Sequence, residues 1–317
     1  MSNSSGEAER LSLIANYVLS IGGLPIFICG IIGNFLNFII FLNRSQLNKI
    51  PTSIFLLTSY SGSFITLITG LLPQLVYRLT RIDPLVNYLT LCKLRWFLGV
   101  GTATVTIHSL CFAAFQQYLV TTNSIRCHQF ITRRRAIILC IFIYFYCAIS
   151  VSPNLFYYTH VKNAINRTTC DVTNPIVSSY NAYNALIFYT LIPMFILSLF
   201  SILILRNIRK CLIRRPSLEQ NVTSMFLAQI IIVLIATVAF CIRRIYIFYT
   251  TDLRKDSIRI AQDDIITNVS TLFGFSIHGF TFFIYLIISS AFRNNIFSLF
   301  FRRRHRIAIH IPAQAIT

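Results

Sequence analysis

The sequence predicts an all-α membrane protein, a seven-transmembrane helix bundle with a short amphipathic eighth helix. Seven apolar stretches divide the 317 residues, each about the ~20 residues that one helical crossing needs. Nearly all the charge lies in the gaps between them. Hydrophobic residues make up 55% of the chain and charged residues 12%, whereas an ordinary soluble domain carries ~25% charged. Backbone polar groups cannot stay unpaired in lipid, so each stretch has to be a helix and the helices have to bundle.

In chain order the spans are expected near Tyr17–Leu42, Ser53–Tyr77, Phe97–Val120, Ala136–Phe156, Tyr183–Leu205, Ser224–Tyr249 and Ile265–Ser289. A soluble fold would have to bury all seven with almost no amphipathic periodicity to guide it. The first ten residues are polar, and the apolar run after them is too long for a signal-peptide core. The first span is therefore expected to act as its own insertion signal. The layout predicted is an extracellular N-terminal segment over 1–16, one transmembrane domain over 17–301 and a cytoplasmic basic tail over 302–317.

Charge sets the orientation. The gaps after spans one, three and five, together with the tail, hold sixteen Lys and Arg against the single acid Glu219. That side carries +15, leaving +4 of the overall +19 for the other. Short loops rich in Lys and Arg stay in the cytosol, which predicts an extracellular N-terminus and a cytoplasmic C-terminus. A charge so distributed is a topology signal and implies no nucleic-acid partner. The Arg133–Arg135 and Arg302–Arg306 runs are topology signals and contacts for membrane lipid headgroups.

Seven of the nine cysteines (Cys29, Cys111, Cys127, Cys140, Cys147, Cys211 and Cys241) fall inside spans or on the cytosolic side, where thiols stay reduced and pack as small apolar groups. Only Cys92 and Cys170 fall in the oxidising outer layer, so a disulfide between them is expected. It would tie the loop before the fifth span across the top of the third. Asn3-Ser-Ser and Asn166-Arg-Thr168 are outer glycosylation sequons, whereas the matches at Asn43 and Asn221 face the cytosol.

Smaller motifs add to this frame. The first span contains Gly33-Asn34, Pro193 sits midway along the fifth, and Pro153 lies near the outer end of the fourth. Tyr285 is followed, after six residues, by Phe292-Arg293. Across Ala291–Phe301, Phe292, Ile296, Leu299 and Phe300 form an apolar face beside Arg293, Arg302 and Arg303. With the outer cysteine pair this ordered set, from Gly22 to Phe301, resembles a rhodopsin-like (family A) G-protein-coupled receptor. The resemblance implies a plasma-membrane receptor with an extracellular ligand and a heterotrimeric G protein as its partner. It also implies that Gln116, Gln117, Tyr118 and Tyr285 occupy the positions that carry activation and G-protein coupling.

Departures from the family are as informative. Where the family has Asp-Arg-Tyr, the chain reads Gln116-Gln117-Tyr118. Ser63 stands at the sodium-binding aspartate of the second span, the fourth-span tryptophan is missing, Val238-Ala-Phe-Cys241 lacks the sixth-span proline, and Thr281-Phe-Phe-Ile-Tyr285 has no Asn-Pro. The chain resembles a divergent branch of the kind found in expanded invertebrate receptor sets. Gln117 cannot form an arginine's charged lock, so measurable basal signalling is expected. Its amide retains the capacity to hydrogen-bond a partner helix.

For the pocket, the third span is informative by absence. Gly99 stands where amine receptors carry an aspartate, with Val100, Ala103 and Thr104 on the same face, which argues against a biogenic amine. Phe275 stands near the opsin lysine position, which excludes a retinal pigment. Positive charge is present instead. Arg243 and Arg244 lie in the outer third of the sixth span, flanked by Tyr246 and Tyr249. Two readings stand side by side. The arginines snorkel to headgroups or pair with Asp263 and Asp264, or they contact an anionic or peptide ligand, with Arg244 the stronger candidate. The aromatic loop Tyr157-Tyr158-Thr-His160, running to Cys170, with Lys93, Arg95 and Trp96 beside it, favours a peptide, because strand-like lids suit extended ligands.

Asn34 and Asn37 are expected to bond across helices, and His108 and His278 to be buried hydrogen-bonding groups; no metal spacing accompanies them. No cofactor is expected and no enzyme, since no nucleophile–base pair or acid cluster is placed for catalysis. A transporter or channel is the alternative class, but no inverted repeat or charged pore line supports it.

Overall fold

A computed structural model describes residues 2–43, 50–122, 124–162, 168–210, 217–250, 253, 255–290, 292–294 and 296–297. Asn166, Cys211, Leu299, Phe300 and the Arg302–Arg306 run lie outside these, as do the side chains of Asn3, Asn43 and Asn221.

Six helices are long and apolar enough to cross a membrane: Gly6–Leu42, Pro51–Thr80, Leu89–Thr121, Arg133–Tyr157, Pro175–Arg209 and Val222–Thr250. The seventh span is a bent pair, Ser257–Gly279 and Thr281–Ile288, meeting at 58°. The third helix is the most buried, and the fourth and fifth are the least. Their outward faces carry Ile137, Ile141, Phe145, Phe195 and Ile202, the apolar exterior that a lipid solvent selects. Inside, Phe41, Phe55, Tyr60, Ile107, Leu110, Phe226, Ile230 and Tyr285 form the main core.

The first helix begins at Ser2 and runs to Asn43, so residues 2–16 continue, as helix, the span expected from Tyr17. Its docking explains this. Ala15 and Leu19 are buried, the Asn268 amide donates to the Ala15 carbonyl at 2.7 Å, and Arg78 donates to the Asn16 side chain.

Three helices contain a wide π turn: Leu67–Leu71 in the second, Arg95–Gly99 in the third and Ile187–Leu191 in the fifth. Two of these precede a proline by two residues, Pro73 and Pro193. A proline has no N–H to donate and crowds the carbonyl four residues back; a π turn lets the chain continue around it. Thr190 fits that account, its hydroxyl donating to the Ala185 carbonyl five residues earlier at 2.8 Å.

The bend of the seventh helix occurs without proline. Its backbone approaches the first helix so closely that a Cβ on Gly279 would lie 2.8 Å from Ile26 Cγ2 and 3.0 Å from the Ile26 carbonyl. Side chains satisfy carbonyls near the break: Asn34 donates to His278 O at 2.8 Å and Thr281 to Ile277 O at 3.3 Å. After Ile288 the chain turns into a new helical segment. The Ser289 hydroxyl accepts from the Phe292 amide at 3.1 Å as an N-cap does. Arg293 donates to the Leu286 and Ile287 carbonyls at 2.9 Å, and Phe292 packs on Tyr285.

Candidate functional site

Polar chemistry concentrates at the two ends of the bundle. At one end, strands β1 (Tyr158–Lys162) and β2 (Thr168–Val172) form an antiparallel hairpin that pairs His160 with Cys170. Cys170 is disulfide-bonded to Cys92 at the start of the third helix. His160 Nε2 donates to the Leu85 carbonyl at 2.8 Å. The hairpin is thus fastened over the bundle twice, by a covalent and a hydrogen bond. From it Tyr158 stacks on Trp96, with ring centroids 4.7 Å apart, and the Arg95 guanidinium lies 5.0 Å from the other aromatic centroid, that of Trp96. Burial pushes the Tyr158 phenol up to about 12, Asp171 pushes the same way, and Arg95 and Arg244 oppose them. The phenol therefore keeps its proton and can donate to an anion.

Arg244 reaches the same region from the sixth helix. Its guanidinium lies 5.0 Å from the Phe240 ring centroid, and Phe240 meets Tyr189 edge-on at 5.6 Å. Tyr158 and Tyr189 are within its electrostatic reach. Its Nε is buried with no hydrogen-bond partner among the described residues. Arg243 donates to the Thr267 hydroxyl at 3.3 Å. Neither arginine pairs with Asp263 or Asp264 among the described residues; that part of the sequence expectation is not met. Asp263 is engaged by Lys255 at 2.6 Å and by the Tyr246 hydroxyl at 2.7 Å, with Arg259 at 3.8 Å.

Of the other pocket residues, Gly99 lies against Thr69 and Gly70 of the second helix, and Gly70 lies beneath the Phe275 ring. Those positions form one layer across helices two, three and seven. Ala103 and Thr104 are buried, and the Thr104 hydroxyl donates back to the Val100 carbonyl at 2.8 Å. A cleft of about 80 Å³ opens beside Arg95, lined also by Gln74, Tyr77, Arg78 and Asp83.

At the opposite end Gln117 is buried and bridges two helices. Its amide donates to the Thr52 hydroxyl at 3.1 Å, and its carbonyl accepts from the Thr223 hydroxyl at 2.9 Å. Gln116 is buried with its Oε1 unpartnered, and Tyr118 packs on Phe200 at 5.6 Å. Nearby the Tyr60 hydroxyl donates to Tyr285 at 3.2 Å, and Tyr285 donates to the Gln229 side chain. Deeper in the bundle Ser63 and His278 Nδ1 are 3.0 Å apart, and His108 Nδ1 is 3.0 Å from the Thr104 carbonyl. Both histidines have ordinary structural partners. Among the described residues no group of His, Cys, Asp and Glu could hold a metal.

Sequence reasoning missed Thr52, Thr223, Gln229, Tyr60, Tyr189 and Phe240. Gln229 carried a readable signal, as a large polar side chain in the middle of an apolar span. Thr223 stood in a sequence matching the glycosylation pattern, which concealed its other use.

This geometry is that of a receptor bundle, with a lidded, cation-lined opening at one end and a hydrogen-bonded junction of helices two, three, six and seven at the other. The family description "7 transmembrane receptor (rhodopsin family)" matches residues 33–285, and the chain belongs to that family. It is accordingly a multi-pass plasma-membrane receptor that binds an extracellular ligand and signals through heterotrimeric G proteins. The match does not favour a transporter or channel. Among curated proteins none matches the chain in sequence.

Proposed function

We propose that the hairpin end faces outward and receives a peptide or another ligand with an anionic group, read by Arg244 with Arg243 beside it. In this reading the N-terminus is extracellular, the C-terminus is cytoplasmic, and the helical 2–16 extension stands outside. Asn3 and Asn166 carry glycans, and the basic tail lies against lipid. Gly99, Ala103, Thr104 and Phe275 form the floor beneath the ligand. Gln116, Gln117, Tyr118 and Tyr285 pass the change to the G protein.

The observation that carries the ligand reading is the Arg244 Nε, a buried donor on a cation with no acceptor. Leaving such a donor unmet costs about 1–3 kcal/mol, and an anionic ligand would supply the missing acceptor. The absent third-helix acid removes the main alternative, a cationic ligand. The test is the potency of any agonist on Arg244→Ala. A charge-assisted hydrogen bond contributes ~1.5–3 kcal/mol, so potency should fall roughly ten- to a hundredfold, with surface level nearly unchanged. Potency within threefold of wild type would return Arg244 to headgroup contact.

A further inference from the structure

We propose that the ligand carries two separated anionic groups, one held at Arg244 and the other at Arg95, with its body lying along the Trp96–Tyr158 stack. This rests on the Arg244 reading above and adds a second subsite to it.

Donors and acceptors at this end are out of balance. Besides Arg244 Nε, the indole Nε1 of Trp96 is buried with no hydrogen-bond partner among the described residues. Tyr158, stacked on that indole, keeps its phenolic proton and lies within electrostatic reach of both Arg95 and Arg244. The Arg95 guanidinium lies on the Trp96 ring, and the Arg244 guanidinium, from another helix, lies on Phe240. Asp83 shares the cleft with Arg95 and attracts it while capping the Leu85 amide at 2.9 Å, and Asp171 accepts from the Val172 amide at 2.7 Å; neither forms an ion pair with a guanidinium among the described residues. Asp263 is held by Lys255 and Tyr246. Among the described residues neither Arg95 nor Arg244 has a carboxylate within ion-pairing distance.

Arg95 also borders open space. The cleft, of about 80 Å³, places it with Arg78 and Asp83, so the lining is net positive and has room for one carboxylate-sized group. Guanidinium forks bind such groups bidentately. A ligand with one anionic end would leave one of the two sites unfilled. A ligand with two fills both, and its middle passes the Trp96 N–H and the Tyr158 O–H, which favour an acceptor-rich chain such as a peptide backbone.

The test uses the full chain in nanodiscs of phosphatidylcholine alone, which removes anionic headgroups as a competing source. Thermal midpoints are measured against a series of linear dicarboxylates, glutarate to sebacate, and the matching monocarboxylates at equal ionic strength. At one chain length the dicarboxylate should half-saturate at about a tenfold lower concentration than its monocarboxylate, the size of one added charge-assisted contact. Arg95→Gln should erase that advantage, and Arg95→Lys should keep part of it, which separates lost recognition from lost folding. Equal mono- and dicarboxylate responses at every length, abolished by Arg244→Gln, would overturn the second subsite and leave the Arg244 reading standing. No carboxylate response in wild type, or one untouched by Arg244→Gln, would overturn both. A response that appears only when anionic lipid is added back would assign the arginines to headgroups.

Discussion

Gln117 shows how much one side chain can change a switch. A glutamine has no charge, yet here its amide holds the second helix through Thr52 and the sixth through Thr223. A neutral hydrogen bond contributes about 1 kcal/mol net, so this latch restrains the sixth helix only lightly. Thr223→Val removes its donor without touching Gln117 itself. Basal second-messenger output should then rise roughly twofold to fivefold, read at matched surface level. Gln117→Ala should behave differently, reducing stimulated output, because it also removes the amide proposed to meet the G protein. An unchanged basal level in Thr223→Val would show that the latch does not restrain the sixth helix. Only half of this was legible. The glutamine pair was visible in the sequence, but its partners lie 65 and 106 residues away, and nothing local marks them.

Among the elements, the contact between the first and seventh helices is the most exacting. A Cβ on Gly30 would approach the Gly279 Cα to 2.9 Å, and one on Gly33 the Phe282 Cβ to 2.8 Å. Small residues let helices approach to backbone contact in lipid, where packing rather than hydrophobicity drives association. Gly279→Ala must push the two backbones apart, and overpacking of this kind costs about 1–3 kcal/mol. The midpoint of thermal inactivation in detergent should fall by several degrees; a midpoint equal to wild type would mean that the helices part freely there. Element boundaries show what sequence conveys and what it does not. The spans were legible because lipid imposes apolar length. The π turns were not, although Pro73 and Pro193 mark two of them, because periodicity is nearly flat in a helix apolar on every face. The helical 2–16 extension was hidden for another reason: its first turns are polar and gave no apolar signal, and its anchors, Asn268 and Arg78, come from other helices.

At the scale of the whole molecule, topology is the reading on which the others depend. The disulfide lies at the end of the bundle that the sequence reads as the less basic, +4, side. Epitope tags on intact cells should therefore be labelled at the N-terminus and protected at the C-terminus until the membrane is permeabilised. Labelling of a C-terminal tag on intact cells would reverse the bundle and with it both ligand and G-protein assignments. The fold class and the cysteine pair were legible in the sequence because each follows from a constraint imposed from outside, by bilayer thickness and by an oxidising compartment. The stacking of Tyr158 on Trp96 was not, because it depends on how the hairpin is laid over the third helix.

The latch formed by Thr52, Gln117 and Thr223 contains no group that gains or loses a proton near neutral pH. Breaking its two hydrogen bonds moves no charge and needs no counter-ion, so the contribution proposed for it should be insensitive to cytosolic acidity and to salt. On the proposed reading, the share of the receptor's idle level that these three side chains carry responds to the packing of the sixth helix and to temperature rather than to their own charge.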